Sequence, residues 1–177
     1  MDIMVDCETL DTAPSAVILS IGVVLFDPKS DVLGDYITIK PDIDEQIKLG
    51  RTTSEDTLAW WEKQTTEAKE EAFGDSDRFP FHDCMKALHT FCWNKSAVWS
   101  HGAAFDVVLL EDAFRMANMH APWHFANVRD TRTLFALTKV SLKNDGYVTT
   151  HKAEEDALRQ AVCVQKAYQI LKNAGVV

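Results

Sequence analysis

Met1-Asp2-Ile3-Met4-Val5-Asp6-Cys7-Glu8-Thr9-Leu10 decides how the rest of this chain is read. Ile3, Met4 and Val5 form a short apolar run, and a strand's period of two places Asp6 and Glu8 on one face and Cys7 on the other, toward the core. Two carboxylates on one face repel each other unless a cation sits between them, so this strand end is a candidate metal site.

Outward from that strand, residues 2–8, a second apolar run at 17–26 ends in the turn chemistry of Asp27-Pro28-Lys29-Ser30. A third strand at 36–40 stops at Pro41, so the first forty residues predict a three-stranded antiparallel meander. Ser54 is placed to cap a helix through Leu58, Trp60 and Trp61, followed by a second, polar helix to Phe73 that the 74–78 stretch breaks. Pro80 can open the next helix, a short strand follows at 97–100, and a helix at 104–119 comes out of the turn at Gly102. A short strand at 127–128, a helix at 131–138, a loop at 139–150 and an amphipathic helix at 153–173 complete the chain. Strands first and helix-strand alternation afterwards predict a mixed α/β layer fold.

Two further places carry acids or histidine in suggestive settings. Asp106, in Ser100-His101-Gly102-Ala103-Ala104-Phe105-Asp106, begins a helix directly after a strand, where loops converge at a sheet edge. His151 and Asp156 are about 140° apart on a continuous helix, so they can share a site only if His151 lies in the preceding loop, for which 146–150 offers the chain. Asp6, Glu8, Asp106, His151 and Asp156 together predict a two-metal site for phosphodiester cleavage. The four acids are the hard ligands that Mg²⁺ or Mn²⁺ prefers, and the imidazole can take a proton near neutral pH.

At 177 residues, 46% apolar and 25% charged, the chain suits one globular domain over 1–177. There is no basic leader and no apolar run near the roughly 20 residues of a membrane helix, which predicts a cytoplasmic protein without a membrane partner. Cys7, Cys84, Cys92 and Cys163 lack CxxC spacing and read as buried reduced thiols, with no zinc site. The net charge of −9 argues against a broad basic surface for duplex DNA. It is unevenly spread, at −12 over residues 1–125 and +3 over 126–177, and the basic third could hold a phosphate backbone.

The DxE of Asp6 and Glu8, the later Phe105-Asp106 and the HxAxxD of His151 to Asp156, in this order over nearly the whole chain, resemble the DEDDh family of 3′→5′ exonucleases. Leu58 to Gln64 and Trp99 to Gly102 further resemble the phage DexA-like and mycobacterial RNase AS-like subfamily, and prophage proteins of the exodeoxyribonuclease VIII type. One departure is Ala103-Ala104, where many relatives carry a small polar residue before the FD. The resemblance implies an RNase H-like fold, with a mixed central sheet (an antiparallel meander, then parallel strands) flanked by helices. It implies two Mg²⁺ or Mn²⁺ ions on Asp6, Glu8, Asp106 and Asp156, with His151 as general base. It also implies single-stranded RNA or DNA with a free 3′ end as substrate, nucleoside 5′-monophosphates as products, and a homodimer.

Around this set, Thr9, Leu10 and Phe105 are candidates to line the mouth. Only one of Trp60 and Trp61 can face the core squarely, and Trp61 is the candidate for stacking on a base. Arg129, with Arg132 beyond it, is a candidate for backbone phosphate, while Asp130 between them reads as a helix cap. His101 reads as a polar loop residue. Two rival functions remain on sequence grounds: a metal-dependent phosphohydrolase of small phosphoesters, and an inactive module that holds nucleic-acid ends.

Overall fold

The computed structural model describes residues 1–74, 76–143 and 151–176. Its strands are β1 (Asp2–Thr9), β2 (Ile18–Phe26), β3 (Leu33–Pro41), β4 (Arg78–Phe79), β5 (Val98–Ser100) and β6 (Val128–Asp130), in the sheet order β4-β3-β2-β1-β5-β6. The first three form the antiparallel meander, while β5 joins β1, β6 joins β5 and β4 joins β3 in parallel. The Asp27 carboxylate accepts from Lys29 N at 3.0 Å and Ser30 Oγ at 2.9 Å, which closes the β2–β3 turn.

The helices are α1 (Ile43–Lys48), α2 (Glu55–Glu62), α3 (Thr66–Phe73), α4 (Phe81–Cys92), α5 (Asp106–Met116), α6 (Thr131–Thr138) and α7 (Ala153–Asn173). Ser54 and Thr65 cap α2 and α3 by accepting from Thr57 N and Ala68 N, each at 3.2 Å. Both faces of the sheet are covered, which is why β2 reads as a continuous apolar run. On one face, Ile3, Val5, Ile21, Val23 and Val98 pack against α4 and α5. On the other, Met4, Val24, Phe26 and Trp99 pack against the small residues of α7. A third cluster of Leu10, Val17, Leu19 and Trp61 lies beneath α3.

The mixed α/β architecture agrees with the sequence-based expectation, and four details depart from it. Helix α1 was not predicted; it follows Pro41 for six residues, capped by Asp42 and tied down by buried Gln46, whose side chain bonds both Ile18 N and Ile18 O at 2.9 Å. Strand β4 is two residues long, too short for any periodicity to declare. Strand β6 runs on to Asp130, so one residue ends a strand and caps α6. Helix α5 begins at Asp106 because 103–105 are spent on a turn closed by the Phe105 and Asp106 N–H groups on Gly102 O. Of the predicted loop, 144–150 lie outside the described residues, and with them the stretch expected to carry His151. Among the described residues, no helix is long and apolar enough to cross a membrane.

Candidate active site

Strand parity puts Asp6 and Glu8 on the same face of β1 as Met4, the face that α7 covers. The β1–β2 register slips between Glu8 and Thr9, an irregularity at the end of the strand that carries both acids. Opposite Asp6 in that register stands Gly22, and the first turn of α7 lies directly upon it. A Cβ at Gly22 would overlap the Ala153 carbonyl group and Glu154 N. This close approach lowers Asp156 and Gln160 of α7 toward Asp6, and Gln160 Nε2 donates to Asp6 Oδ1 at 2.8 Å.

Asp106 arrives from the other side, out of the β5–α5 turn. Its Oδ2 accepts from Ser100 Oγ at 2.8 Å and its Oδ1 from Cys7 N at 3.2 Å, so β1 and β5 together fix the carboxylate. Its position in the first turn of α5 also favours negative charge. The turn is itself braced: Asp130 Oδ2 accepts from Ala103 N and Oδ1 from Arg132 N, both at 2.8 Å. Asp130 is therefore a cap and a brace.

His151 stands two residues ahead of α7 in the left-handed region, φ 54°. Its Nδ1 lies 3.8 Å from Glu8 Oε1, and its ring meets the edge of Trp60 at 4.9 Å between centroids. Ligand atoms of Glu8, His151 and Asp156 all lie within 4.8 Å of one another. Asp6, Glu8, Asp106, His151 and Asp156 thus converge on one cavity of about 270 Å³, also lined by Phe105.

The electrostatics are those of acids crowded out of water. Burial, then the carboxylates of Asp106 and Glu8, push the Asp6 carboxyl well above its ordinary range, against the Gln160 hydrogen bond. Burial pushes Asp106 up to about 6 despite the bonds from Ser100 and Cys7. Burial also raises Glu8, opposed by His151, and in turn the Glu8 carboxylate beside it raises His151. An all-oxygen acidic set that resists ionising together is the donor set a hard divalent cation fits, because its charge offsets both burial and repulsion.

Three predicted substrate residues are corrected. Trp61 is 2% exposed, with its indole N–H given to Thr9 O at 2.8 Å; it packs beneath the site, and Trp60, 41% exposed, is the ring at the surface. Leu10 is buried in the same cluster as Trp61. Arg129 turns its guanidinium back onto Ala126 O and Val128 O, at 2.8 and 2.9 Å, and does not line the cavity. The neighbouring Arg132 instead lies over Gly102, whose φ of 123° and missing Cβ leave room for the guanidinium. Phe105 and Thr9 line an adjoining hollow of about 420 Å³, together with Trp60.

The sequence reading passed over Ser100, Gly22, Gln160 and Arg159. Gln160 and Arg159 follow Asp156 at i+4 and i+3, the spacing of a shared helix face, and that signal was available. Arg159 lines the cavity and donates from Nε and Nη2 to Leu142 O, at 3.1 and 2.7 Å. His101 bonds Thr131 Oγ1 through Nδ1 at 2.7 Å, and burial followed by the Arg132 charge lowers its pKa.

Acids from the end of β1, the start of α5 and the start of α7 thus meet in one cavity on a mixed α/β sheet of RNase H-like fold. The chain belongs to the family of 3′-5′ exoribonuclease Rv2179c-like domains, whose model matches residues 1–168. It is 30% identical over 128 residues to an exodeoxyribonuclease of Enterobacteria phage T4, an alignment covering 64% of this chain and 56% of the phage protein. The fold is shared with E. coli exonuclease I in complex with a dT13 oligonucleotide, with a TM-score of 0.69 at 12% identity, covering 98% of this chain and 42% of that one. It is shared too with cell-death related nuclease 4, TM-score 0.61 at 14% identity, covering 98% and 64%. The chain thus spans about half the length of the phage relative and less than half of exonuclease I.

Proposed function

We propose that this chain trims single-stranded nucleic acid from the 3′ end in a divalent-cation-dependent reaction. The observation that carries this reading is the convergence of Asp6, Glu8, Asp106, Asp156 and His151 on one cavity from β1, α5, α7 and the segment before it. The four carboxylates would hold Mg²⁺ or Mn²⁺, a pair of such ions supplying charge to the attacking and leaving oxygens. His151, at the lip of the site, takes the proton of the attacking water. Water adds to the terminal phosphorus, the bond from phosphorus to the 3′ oxygen breaks, and a nucleoside 5′-monophosphate leaves with the shortened strand keeping its 3′ hydroxyl.

The hollow beside Glu8 supports a polymer substrate over a small phosphoester. Trp60 and Phe105 offer it aromatic walls, and stacking on such walls tolerates any base. Arg132 stands beyond His101 as a cation for a backbone phosphate, in keeping with a single strand bound locally on an acidic protein. The test is a time course on 5′-labelled single-stranded RNA and DNA of matched sequence, with Mn²⁺ or Mg²⁺, beside His151→Ala. A ladder shrinking from the 3′ end, absent with chelator and slowed at least 100-fold in the variant, is expected. Intact oligonucleotides under every metal condition would refute the reading, and the two substrates report the preferred sugar.

A further inference from the structure

We propose that Gln160 is a positioning residue of the cation site. Its amide nitrogen fixes Asp6 in the orientation of a ligand, and its amide oxygen awaits a water that enters with the cation. The inference rests on the cation-dependent reading above.

Three observations carry it. The sheet-facing stripe of α7 is almost wholly apolar and small, with Ala153, Ala157, Ala161, Val164 and Ala167 buried; Asp156 and Gln160, one turn apart, interrupt it beside the cavity. Gln160 is 5% exposed, and its Nε2 spends one proton on Asp6 Oδ1 at 2.8 Å. Against the ionised Asp6 of a cation site, turning the amide over would set its oxygen against a carboxylate oxygen, two acceptors face to face, so in that form the orientation is determined by chemistry. Oε1 is then left buried with no hydrogen-bond partner among the described residues. A buried acceptor without a donor is costly, and at the wall of an acidic cavity a hydrated cation can supply the donor.

Magnesium and manganese sites of this type retain water among their ligands, and such water is a strong donor. A glutamate at position 160 would add another acid to a set that already resists ionising, and an asparagine would fall one methylene short of Asp6. Glutamine is the side chain that donates to Asp6, brings no charge and leaves an oxygen for the hydrated cation. Groups that orient a metal's ligands from behind typically contribute 10–100-fold in affinity.

The experiment is a calorimetric titration of Mn²⁺ alone into wild type, Gln160→Ala, Gln160→Met and Asp6→Ala, with thermal unfolding of each in chelator. Gln160→Met keeps the volume without the hydrogen bonds, and so serves if Gln160→Ala fails to fold. The dissociation constant for Mn²⁺ is expected to rise roughly 10–100-fold in both Gln160 variants. Their melting temperatures in chelator should stay near that of wild type, since removing the orphan oxygen offsets the bond that Asp6 loses, whereas a merely structural role would lower them. Wild-type affinity in a folded Gln160 variant, with binding lost in Asp6→Ala, would overturn the role of Gln160 and leave the cation site standing. Absence of Mn²⁺ binding in wild type would overturn both.

Discussion

Trp61 gives its indole N–H to Thr9 O and its ring to the cluster of Leu10, Val17 and Leu19, whereas Trp60 one residue earlier sets its edge against His151. Truncating each should therefore fail in a different way. Trp61→Ala is expected to cost about 3–5 kcal/mol in urea unfolding, the range for large aromatics in a core. Trp60→Ala should leave that curve within about 1 kcal/mol of wild type and raise KM for oligonucleotides about tenfold, from lost stacking. The reverse pattern would return Trp61 to the substrate. The sequence shows only that two neighbours on a helix cannot both face inward; which one does is decided by where Leu10 and Val17 bring their side chains, a tertiary fact. The same holds for Arg129 and Arg132. The acids differ, because Asp6 and Glu8 follow from strand parity and Asp106 from its place at a helix start.

Helix α7 is the element on which the site turns, since it carries Asp156, Arg159 and Gln160, and its seat is Gly22. Gly22→Ala sets a methyl group against the backbone of Ala153 and Glu154, which no rotamer change relieves, so the helix start must lift. Overpacking of this kind is expected to cost about 3 kcal/mol in urea unfolding and to weaken Mn²⁺ binding together with exonuclease activity. A variant that unfolds earlier yet binds Mn²⁺ like wild type would show that the seat matters only for stability. Elements with a clear period or cap were legible in the sequence, α7 and α6 to the residue, the meander to within a few residues. What stayed hidden was short or held by distant partners: β4 has two residues, and α1 is held by the Gln46 amide on Ile18. In Leu19-Ser20-Ile21-Gly22 nothing local tells a close helix from a flexible strand.

For the whole molecule, a net charge of −9 and the polyanionic substrate proposed above are reconciled by where the charges fall. Four acids, Asp6, Glu8, Asp106 and Asp156, gather at the cavity, where cations can neutralise them, while Arg132 beside Gly102 makes no hydrogen bond or ion pair with its guanidinium among the described residues. Arg132→Ala is expected to weaken single-strand binding and to lower the slope of log affinity against log salt by about 0.7, the counterion share of one phosphate on a single strand. Arg129→Ala should leave that slope unchanged. The acid cluster also couples the global fold to the cation. In chelator, Asp6, Glu8 and Asp106 are buried near one another with hydrogen bonds and His151 offsetting only part of the cost, and a ligand that binds only the folded state shifts unfolding by mass action. At a Mn²⁺ concentration 100 times its dissociation constant the gain is about 2.7 kcal/mol, a rise in melting temperature of roughly 5–10 °C for a chain of this length. Asp106→Ala removes a carboxylate held by Ser100 and Cys7, and should lose most of that rise while costing about 1–3 kcal/mol of stability in chelator for the donors left unpaired. An equal rise in that variant would place the cation elsewhere on the molecule.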